Sequence, residues 1–502
     1  MRCFYGLVWV EIVRILGEVL VMAEKSAFIS TAIPYVNAKP HIGFAMECVQ
    51  TDAVARYLRL TGYDCFSLTG SDENSLKNVR AAEEEGISTQ ELCDRNTQMF
   101  YDLMESLNLA TSDFIRTSSD RHIEGAQTLW SKCKPEDIYR KHYSGLYCVG
   151  CEDFYTEKDC PDKKCPDHGT DLELIEEENY FFKLSNYEDK LLELIESDTI
   201  RIVPRTKRNE ILSFIKGGLL DFSISRSRAR AGDWGITVPG DDSQVMYVWF
   251  DALANYITAL GLEEGSERFQ QYWLGATHRI HMIGKGINRF HTVYWPAMLM
   301  SADIPVPTDV FVHGYLTIDG QKISKSLGNV IDPVLQVEQY GCDAVRYYLL
   351  RAVSPFEDGD YGQERFHEVY NADLANNLGN LARRIETIGA KAGHVPTEDA
   401  PGDAPEGYHE AMADYRFNAA IATLWSSATD LNQRIEEVKP WVLAKQGEDE
   451  ALGTFLDEMI AGLRVIGHWA LPFIPDTSEK LLAMFQGGKA MERGEPLFPR
   501  LD

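Results

Sequence analysis

A histidine, two lysines and a knot of cysteines are the residues of this 502-residue chain whose types and spacing could do chemistry. His41 stands in Pro40-His41-Ile42-Gly43-Phe44, where an imidazole can donate to an anion and Gly43 lets a ligand approach the backbone closely. Lys322 and Lys325 stand in Gln321-Lys322-Ile323-Ser324-Lys325-Ser326-Leu327-Gly328-Asn329, just after the turn-forming pair Asp319-Gly320. Two lysines and two serines near glycines make a cationic loop able to reach phosphate groups as they separate. The same composition also suits a polar surface loop.

The cysteine knot has metal-ligand spacing. Cys148-Val149-Gly150-Cys151 is followed by Cys160 and then by Cys165-Pro166-Asp167-His168. Cys-x2-Cys with Cys-x2-His supplies four soft or borderline donors, the set that closes a tetrahedron around a structural zinc. Cys148, Cys151, Cys165 and His168 are preferred because each half then has the same two-residue gap; Cys160 competes for the third position. A closed site of this kind contributes on the order of 10 kcal/mol to folding a small module.

Elements must position these groups. Phe28-Ile29-Ser30-Thr31-Ala32-Ile33 is short, apolar and partly β-branched, as a buried strand is, and Met46, Val49, Ala53 and Tyr57 beyond it fall at helical spacing. The turn between them carries Pro34 and Pro40, with Pro40 where a first helical turn tolerates it. Strand, turn and helix start place free backbone N–H groups and a positive dipole end beside His41, which suits a phosphate. An ordinary strand-to-helix connection would read the same way. Cys65-Phe66-Ser67-Leu68-Thr69 reads as a second strand closing on Gly70-Ser71-Asp72-Glu73-Asn74. Ligands of open parallel sheets collect at strand carboxyl ends, so Asp72 and Asn74 are candidate site residues or, equally, helix caps. Patterning resumes near Gln244, with strands at 279–283 and 309–313, the first running into Gly284-Lys285-Gly286 and a helix. The alternation favours a doubly wound α/β sheet. From about Gln363 long helical patterns take over, and the simplest reading is a separate α-helical domain.

The formal net charge of −28 argues for solubility and against nonspecific nucleic-acid binding, leaving room for a local basic face. One basic window does stand out, at Arg201, Arg205, Lys207, Arg208, Lys216, Arg226, Arg228 and Arg230; it fits polyanion contact or a solvated face. The remaining cysteines are scattered, as in a reducing compartment. Residues 4–22 are apolar but interrupted by Glu11, Arg14 and Glu18, too charged for a membrane span. They form an amphipathic helix, or the protein starts at Met22.

The motifs Pro40-His41-Ile42-Gly43 and Lys322-Ile323-Ser324-Lys325-Ser326, in this order on a split α/β domain, resemble the two signatures of class I aminoacyl-tRNA synthetases. Within that class the chain is most similar to the methionyl-tRNA synthetase family, from Ser26 to the C-terminus, including the knuckle, Trp249-Phe250-Asp251-Ala252 and Lys439-Pro440-Trp441. The resemblance implies a Rossmann-like catalytic domain split by a zinc-knuckle connective insertion and followed by an α-helical anticodon-binding domain. Its boundaries are an N-terminal extension at 1–25, catalytic halves at 26–137 and 241–330, the insertion at 138–240, a linking region at 331–366 and the helical domain at 367–502. No insertion is long enough for the separate editing domain of the isoleucine, valine and leucine enzymes.

The function so implied is methionine–tRNA ligation in the cytoplasm by a monomer, with ATP, magnesium and a structural zinc, and tRNA(Met) as partner. ATP would meet His41, Gly43, Gly284, Lys322, Ser324 and Lys325, with His41, Lys322 and Lys325 catalytic. Methionine would lie against Ile33, Tyr35, Asp52, Trp249, Ala252, Tyr256 and His291, with Asp52 pairing the ammonium and aromatic rings enclosing the thioether. Asn380, Arg384 and Trp441 would read the anticodon, although Trp441 after Pro440 also suits a core tryptophan. The chain departs from the family pattern at three places: Phe44 for a histidine, Asn74-Ser75 for histidine-glycine, and Gly286 for an aspartate. They fit either a divergent active enzyme or an RNA-binding or regulatory paralogue with weakened ATP chemistry.

Overall fold

The computed structural model describes residues 25–148, 153–155, 160–166, 169–262, 265–318, 320–323, 329–397 and 401–501. Residues 1–24, Cys151, His168, Ser324 and Lys325 lie outside the described residues, as does the side chain of Lys322.

The centre is a parallel sheet. Its strands are β1 (Ser26–Thr31), β2 (Asp64–Ser71), β3 (Asp113–Arg116), β7 (Arg201–Val203), β12 (His278–Gly284) and β13 (Asp309–His313), in the order β3-β2-β1-β12-β13-β7. Every pairing is parallel. The sheet is covered on both faces, so β1 is buried along its whole length. Ala27 and Ile29 turn to one core, shared with helix α1 (Ile42–Leu60), and Phe28 turns to the other. Helices α2 (Leu76–Glu85), α3 (Thr89–Ser106), α4 (Asp120–Lys132) and α5 (Val248–Thr258) fill the connections.

The insertion differs from its expected bounds. β4 (Ile138–Cys148), β5 (Asp153–Tyr155), β6 (Glu173–Phe182) and β8 (Phe222–Ser223) form a four-stranded sheet in the order β5-β4-β6-β8. β7 lies inside the span 138–240 yet is the sixth strand of the central sheet, with Ile202 opposite Val310. Three residues are a short run to read as a strand, and β7 borrows its place from the edge of β13. A small sheet of β9 (Ser225–Ser227), β10 (Thr237–Val238) and β11 (Asp241–Met246) leads back to α5.

The basic window is largely neutralised within the fold. Arg201 meets Asp309 at 2.6 Å, Arg205 and Arg208 share Asp198, Lys207 meets Glu210 and Lys216 meets Glu196. Arg226 and Arg230 lie over the Tyr147 ring, 4.5 and 4.3 Å from its centroid. Arg201 ties β7 to β13 and the other pairs lie within the insertion, so as a group these charges do not form an open polyanion face.

β14 (Leu316–Ile318), β15 (Gln321–Lys322) and β16 (Gly359–Tyr361) make a three-stranded sheet in the order β15-β14-β16. Helices α6 (Cys342–Arg351), α7 (Asn380–Ala392), α8 (Phe417–Val438), α9 (Pro440–Gln446), α10 (Asp449–Ala470) and α11 (Pro475–Met484) form the helical part. That part was expected to be separate; instead one apolar core runs from Ala27, Met46 and Val49 through Val345 and Leu349 to Leu463 and Ile474. The reason is α6, which is apolar on two sides and buried from Asp343 to Leu350. No helix among the described residues is long and apolar enough to cross a membrane.

Candidate active site

The sheet order reverses at β1, with β2 on one side and β12 on the other, so a ligand crevice opens over their carboxyl ends. His41 caps α1 there, one residue after Pro40, which sits just outside the helix. Its Nδ1 accepts from the Gly43 and Phe44 N–H groups at 3.1 and 3.3 Å. Ile42 N–H donates to Ile331 O, and Ala45 N–H to His41 O. The amides expected to hold a phosphate are therefore already engaged. What the helix start offers is the imidazole itself: with Nδ1 accepting, the ring proton is on Nε2, a donor pointing outward. Protein crowded about the ring holds its pKa below the ordinary value.

The two signatures meet at this point. A Cβ built on Gly43 would lie 3.1 Å from the His41 ring and 3.8 Å from Ile323 Cδ1, so the base of the lysine-serine loop stands against the helix start. On the other side of the crevice Gly284 ends β12 against His313. His313 Nε2 is 2.8 Å from Glu47 Oε2, its Nδ1 is 2.7 Å from Gly314 O, and Glu47 Oε1 accepts from Ala32 N–H at 2.8 Å. Glu47 and His313 were not singled out from the sequence. The strand-end rule that marked Asp72 applies equally to His313, and Glu47 is one of two buried acids, with Asp52, on the helix that His41 caps.

Ile33, Trp249 and Tyr256 share one core on the other face of the sheet from α1. Trp249, beside Ala252 on α5, stacks on Phe290 with ring centroids 3.7 Å apart and planes 6° from parallel. The Tyr256 hydroxyl donates to His291 Nε2 at 2.6 Å, while His291 Nδ1–H donates to Ile287 O at 3.0 Å. Burial pushes the His291 pKa down to about 4 and the Tyr256 pKa upward, so both are neutral. Behind them His281 is held between Ser30 Oγ and Trp295 Nε1–H, and burial takes its pKa well below the usual value. Phe290 and this second layer were missed, because apolar periodicity does not separate a pocket wall from core.

Asp52 is elsewhere. It faces the α1 side, where its carboxylate receives Arg56 Nε at 2.7 Å, Arg346 Nη2 at 2.6 Å and the Ala110 N–H at 2.7 Å. The acid at the crevice is Asp72, 3% exposed at the end of β2; its N–H donates to Pro34 O and it bridges to Tyr35. Glu73 fixes this turn, with its carboxylate taking Ser71 Oγ, Thr97 Oγ1 and Arg116 Nε, and its carbonyl taking Trp234 Nε1–H at 2.7 Å. Lys77 lies 4.4 Å from the Tyr35 ring centroid.

The departures from the family pattern are well placed. Phe44 packs edge-on to Phe100 at 5.6 Å, within a small cluster with Val36 and Cys93. Asn74 Nδ2 donates to Thr117 O at 3.0 Å, and the neighbouring Asp251 meets His122 at 3.2 Å. Gly286 lies beneath Tyr315.

In the insertion Cys148, Cys160 and Cys165 are buried in one small cluster with Leu146 and Leu172. Tetrahedral zinc with bonds of about 2.3 Å holds its sulfurs less than about 4 Å apart. Among the described residues, the sulfurs of these three cysteines do not all come within 4.8 Å of one another. In the helical part Asn380 and Arg384 are one turn apart on α7, Arg384 meeting Glu436 at 2.5 Å. Trp441 on α9 is 46% exposed, so it is not a core residue.

Residues 27–386 match the family described as tRNA synthetases class I (M). The methionine–tRNA ligase of Brucella suis is 43% identical over 95% of this chain and 98% of its own length, and that of Thermotoga maritima 40% identical over 95% and 80%. The solved structure of Mycobacterium tuberculosis methionyl-tRNA synthetase in complex with methionyl-adenylate superposes with a TM-score of 0.87, at 38% identity, covering 95% of this chain and all of that one.

Proposed function

We infer how the site works from one premise: the chain belongs to the class I tRNA synthetases, and its activity is that of a methionine–tRNA ligase. In the first step a methionine carboxylate oxygen attacks the α-phosphorus of ATP and pyrophosphate leaves. In the second a ribose hydroxyl at the tRNA 3′ end attacks the acyl carbon and AMP leaves. Both steps need positioning and charge neutralisation more than covalent catalysis.

His41 Nε2–H donates to the ATP phosphates, in a tautomer fixed by the capping contacts of Nδ1. Lys322 and Lys325, with Ser324, counter the charge that builds on departing pyrophosphate. Gly43 and Gly284 leave bare backbone beside the nucleotide. Magnesium would add charge neutralisation as pyrophosphate departs. Asp72, not Asp52, meets the methionine ammonium, next to Tyr35. Ile33, Trp249, Phe290, Ala252, Tyr256 and His291 enclose the thioether. A wall of neutral groups disfavours charged side chains, whose burial without a partner is costly. Asn380 and Arg384 face the anticodon and Trp441 gives a loop base a ring to stack on.

Cys148 and Cys165 are buried thiols in a module with little other core, which fits the zinc set completed by Cys151 and His168. Cys160 is packing in this reading. A zinc held by Cys148, Cys151, Cys165 and His168 would supply structure alone.

The observation that carries the reading is the approach of Ile323 Cδ1 to Gly43, 3.8 Å from where a Cβ on that glycine would stand, which supports one crevice shared by the two signatures. Methionine-dependent ATP–pyrophosphate exchange, followed by charging of a transcript with a CAU anticodon, tests it. Both reactions are expected. Exchange absent with RNA binding retained would select the regulatory paralogue instead.

A further inference from the structure

The space above Gly286 is filled. A Cβ built on Gly286 would lie 2.3 Å from the Tyr315 hydroxyl oxygen, closer than any side chain could stand. The phenol is held in this position from below. The Tyr315 backbone N–H donates to Asp358 Oδ1 at 2.8 Å, and the Tyr315 carbonyl accepts from Gly359 N–H at 3.0 Å. Lys285 Nζ reaches both Asp358 oxygens, at 2.6 and 2.7 Å, and lies 4.5 Å from the Tyr315 ring centroid. Lys285 also holds the Asp358 carboxyl below its usual pKa against the opposing effect of burial, so the clamp stays charged.

The topology says what passes beneath that hydroxyl. The crevice opens over the ends of β1 and β12. His41 takes its phosphate end, while Tyr35 and Asp72 occupy the ends of β1 and β2 on the amino-acid side. The nucleoside is left with β12 and β13, where Gly284 and Gly286 carry no side chains. A ribose lying there presents two vicinal hydroxyls, each able to donate and accept, and a tyrosine hydroxyl can do the same.

We propose that Tyr315 hydrogen-bonds a ribose hydroxyl of ATP from the space that glycine at 286 leaves open. Tyr315 thereby sets nucleotide affinity in this chain. The inference rests on the reading that ATP lies over the Gly284–Gly286 end of the crevice.

Pyrophosphate exchange with Tyr315→Phe is the test. The KM for ATP rises about five- to tenfold, the effect of one lost hydrogen bond, while the KM for methionine is unchanged. With 2′-deoxy-ATP or 3′-deoxy-ATP, whichever lacks the partnered hydroxyl, wild type and Tyr315→Phe become equal. Gly286→Ala contends for the same space, so it gives the same ATP-selective rise and adds nothing in the double variant. No rise with ATP, an equal rise with ATP and both deoxynucleotides, or full additivity in the double variant overturns the proposal while exchange itself continues. A wild-type protein without exchange overturns the ATP reading as well.

Discussion

Arg346 Nη2 lies 2.6 Å from the Asp52 carboxylate, and the same guanidinium donates to the carbonyls of Leu107, Pro472 and Phe473. Asp52 is on the helix that His41 caps, and Pro472 and Phe473 lead into α11. One fully buried cation therefore ties the signature helix to the helical part of the chain.

Replacing Asp52 separates this role from contact with substrate. Asp52→Ala leaves Arg346 buried without its anion, and the loss of stability is on the order of 3 kcal/mol by denaturant unfolding. The KM for methionine in pyrophosphate exchange stays within about twofold, since the carboxylate lies on the other face of the sheet from Tyr256 and His291. A rise of about a hundredfold, the scale of losing a buried charge partner, would return the ammonium to Asp52.

His291 makes stability pH-dependent in a defined window. Its folded pKa of about 4 is below the unfolded value near 6.5, because burial disfavours the charged ring. The unfolded chain therefore binds the proton more readily, and the contribution of the neutral ring is complete above about pH 6.5 and is lost as pH falls toward 4. The shift corresponds to roughly 3 kcal/mol. Denaturant unfolding at pH 7, 6 and 5 should show wild type losing stability faster than His291→Asn, which has no ring to protonate. His281 is depressed in the same direction, so the variant keeps part of the slope. Parallel curves for the two proteins would mean that the ring is not desolvated.

Phe44→His addresses the departure nearest His41. The ring is packed on Phe100 beside Val36 and Cys93, facing away from an anion's needs. A histidine there exchanges aromatic packing for a polar ring, and the expected cost is about 1–3 kcal/mol of stability. The exchange rate should not rise by more than about threefold. A large gain would show that the native site lacks a phosphate donor it could use.

Much of this was legible in the sequence, for physical reasons that vary by residue. The strands at 279–283 and 309–313 are β12 and β13 because fully buried parallel strands are written as continuous apolar runs. The strand expected at 65–69 lies within β2, and the turn expected to close it carries Asp72, buried just past the strand's end. Asp52 came to the methionine set from the family resemblance; in the fold its carboxylate is taken by Arg56 and by Arg346, 294 residues away (346 − 52), a pairing that sequence separation hides. The free amides expected at the α1 start were taken by the His41 ring, a local contact that spacing alone cannot reveal. β7 escaped because three residues carry too little pattern. The stacking of Trp249 on Phe290, 41 positions apart (290 − 249), is set by the fold alone.

Trp441 offers the cleanest separation of the two ends of the molecule. It is 46% exposed, on a short helix that begins with Pro440, so removing its indole leaves no cavity in a core. Trp441→Ala should therefore unfold with wild-type stability and support pyrophosphate exchange at the wild-type rate. Charging of a CAU-anticodon transcript should fall about 10- to 100-fold in kcat/KM, the scale of about 1–3 kcal/mol for one stacked base. The loss should shrink when the anticodon is changed, because a transcript that no longer presents the right base has little stacking to lose. An equal loss on every transcript would make Trp441 a general RNA contact, and an unchanged rate would remove it from the anticodon site.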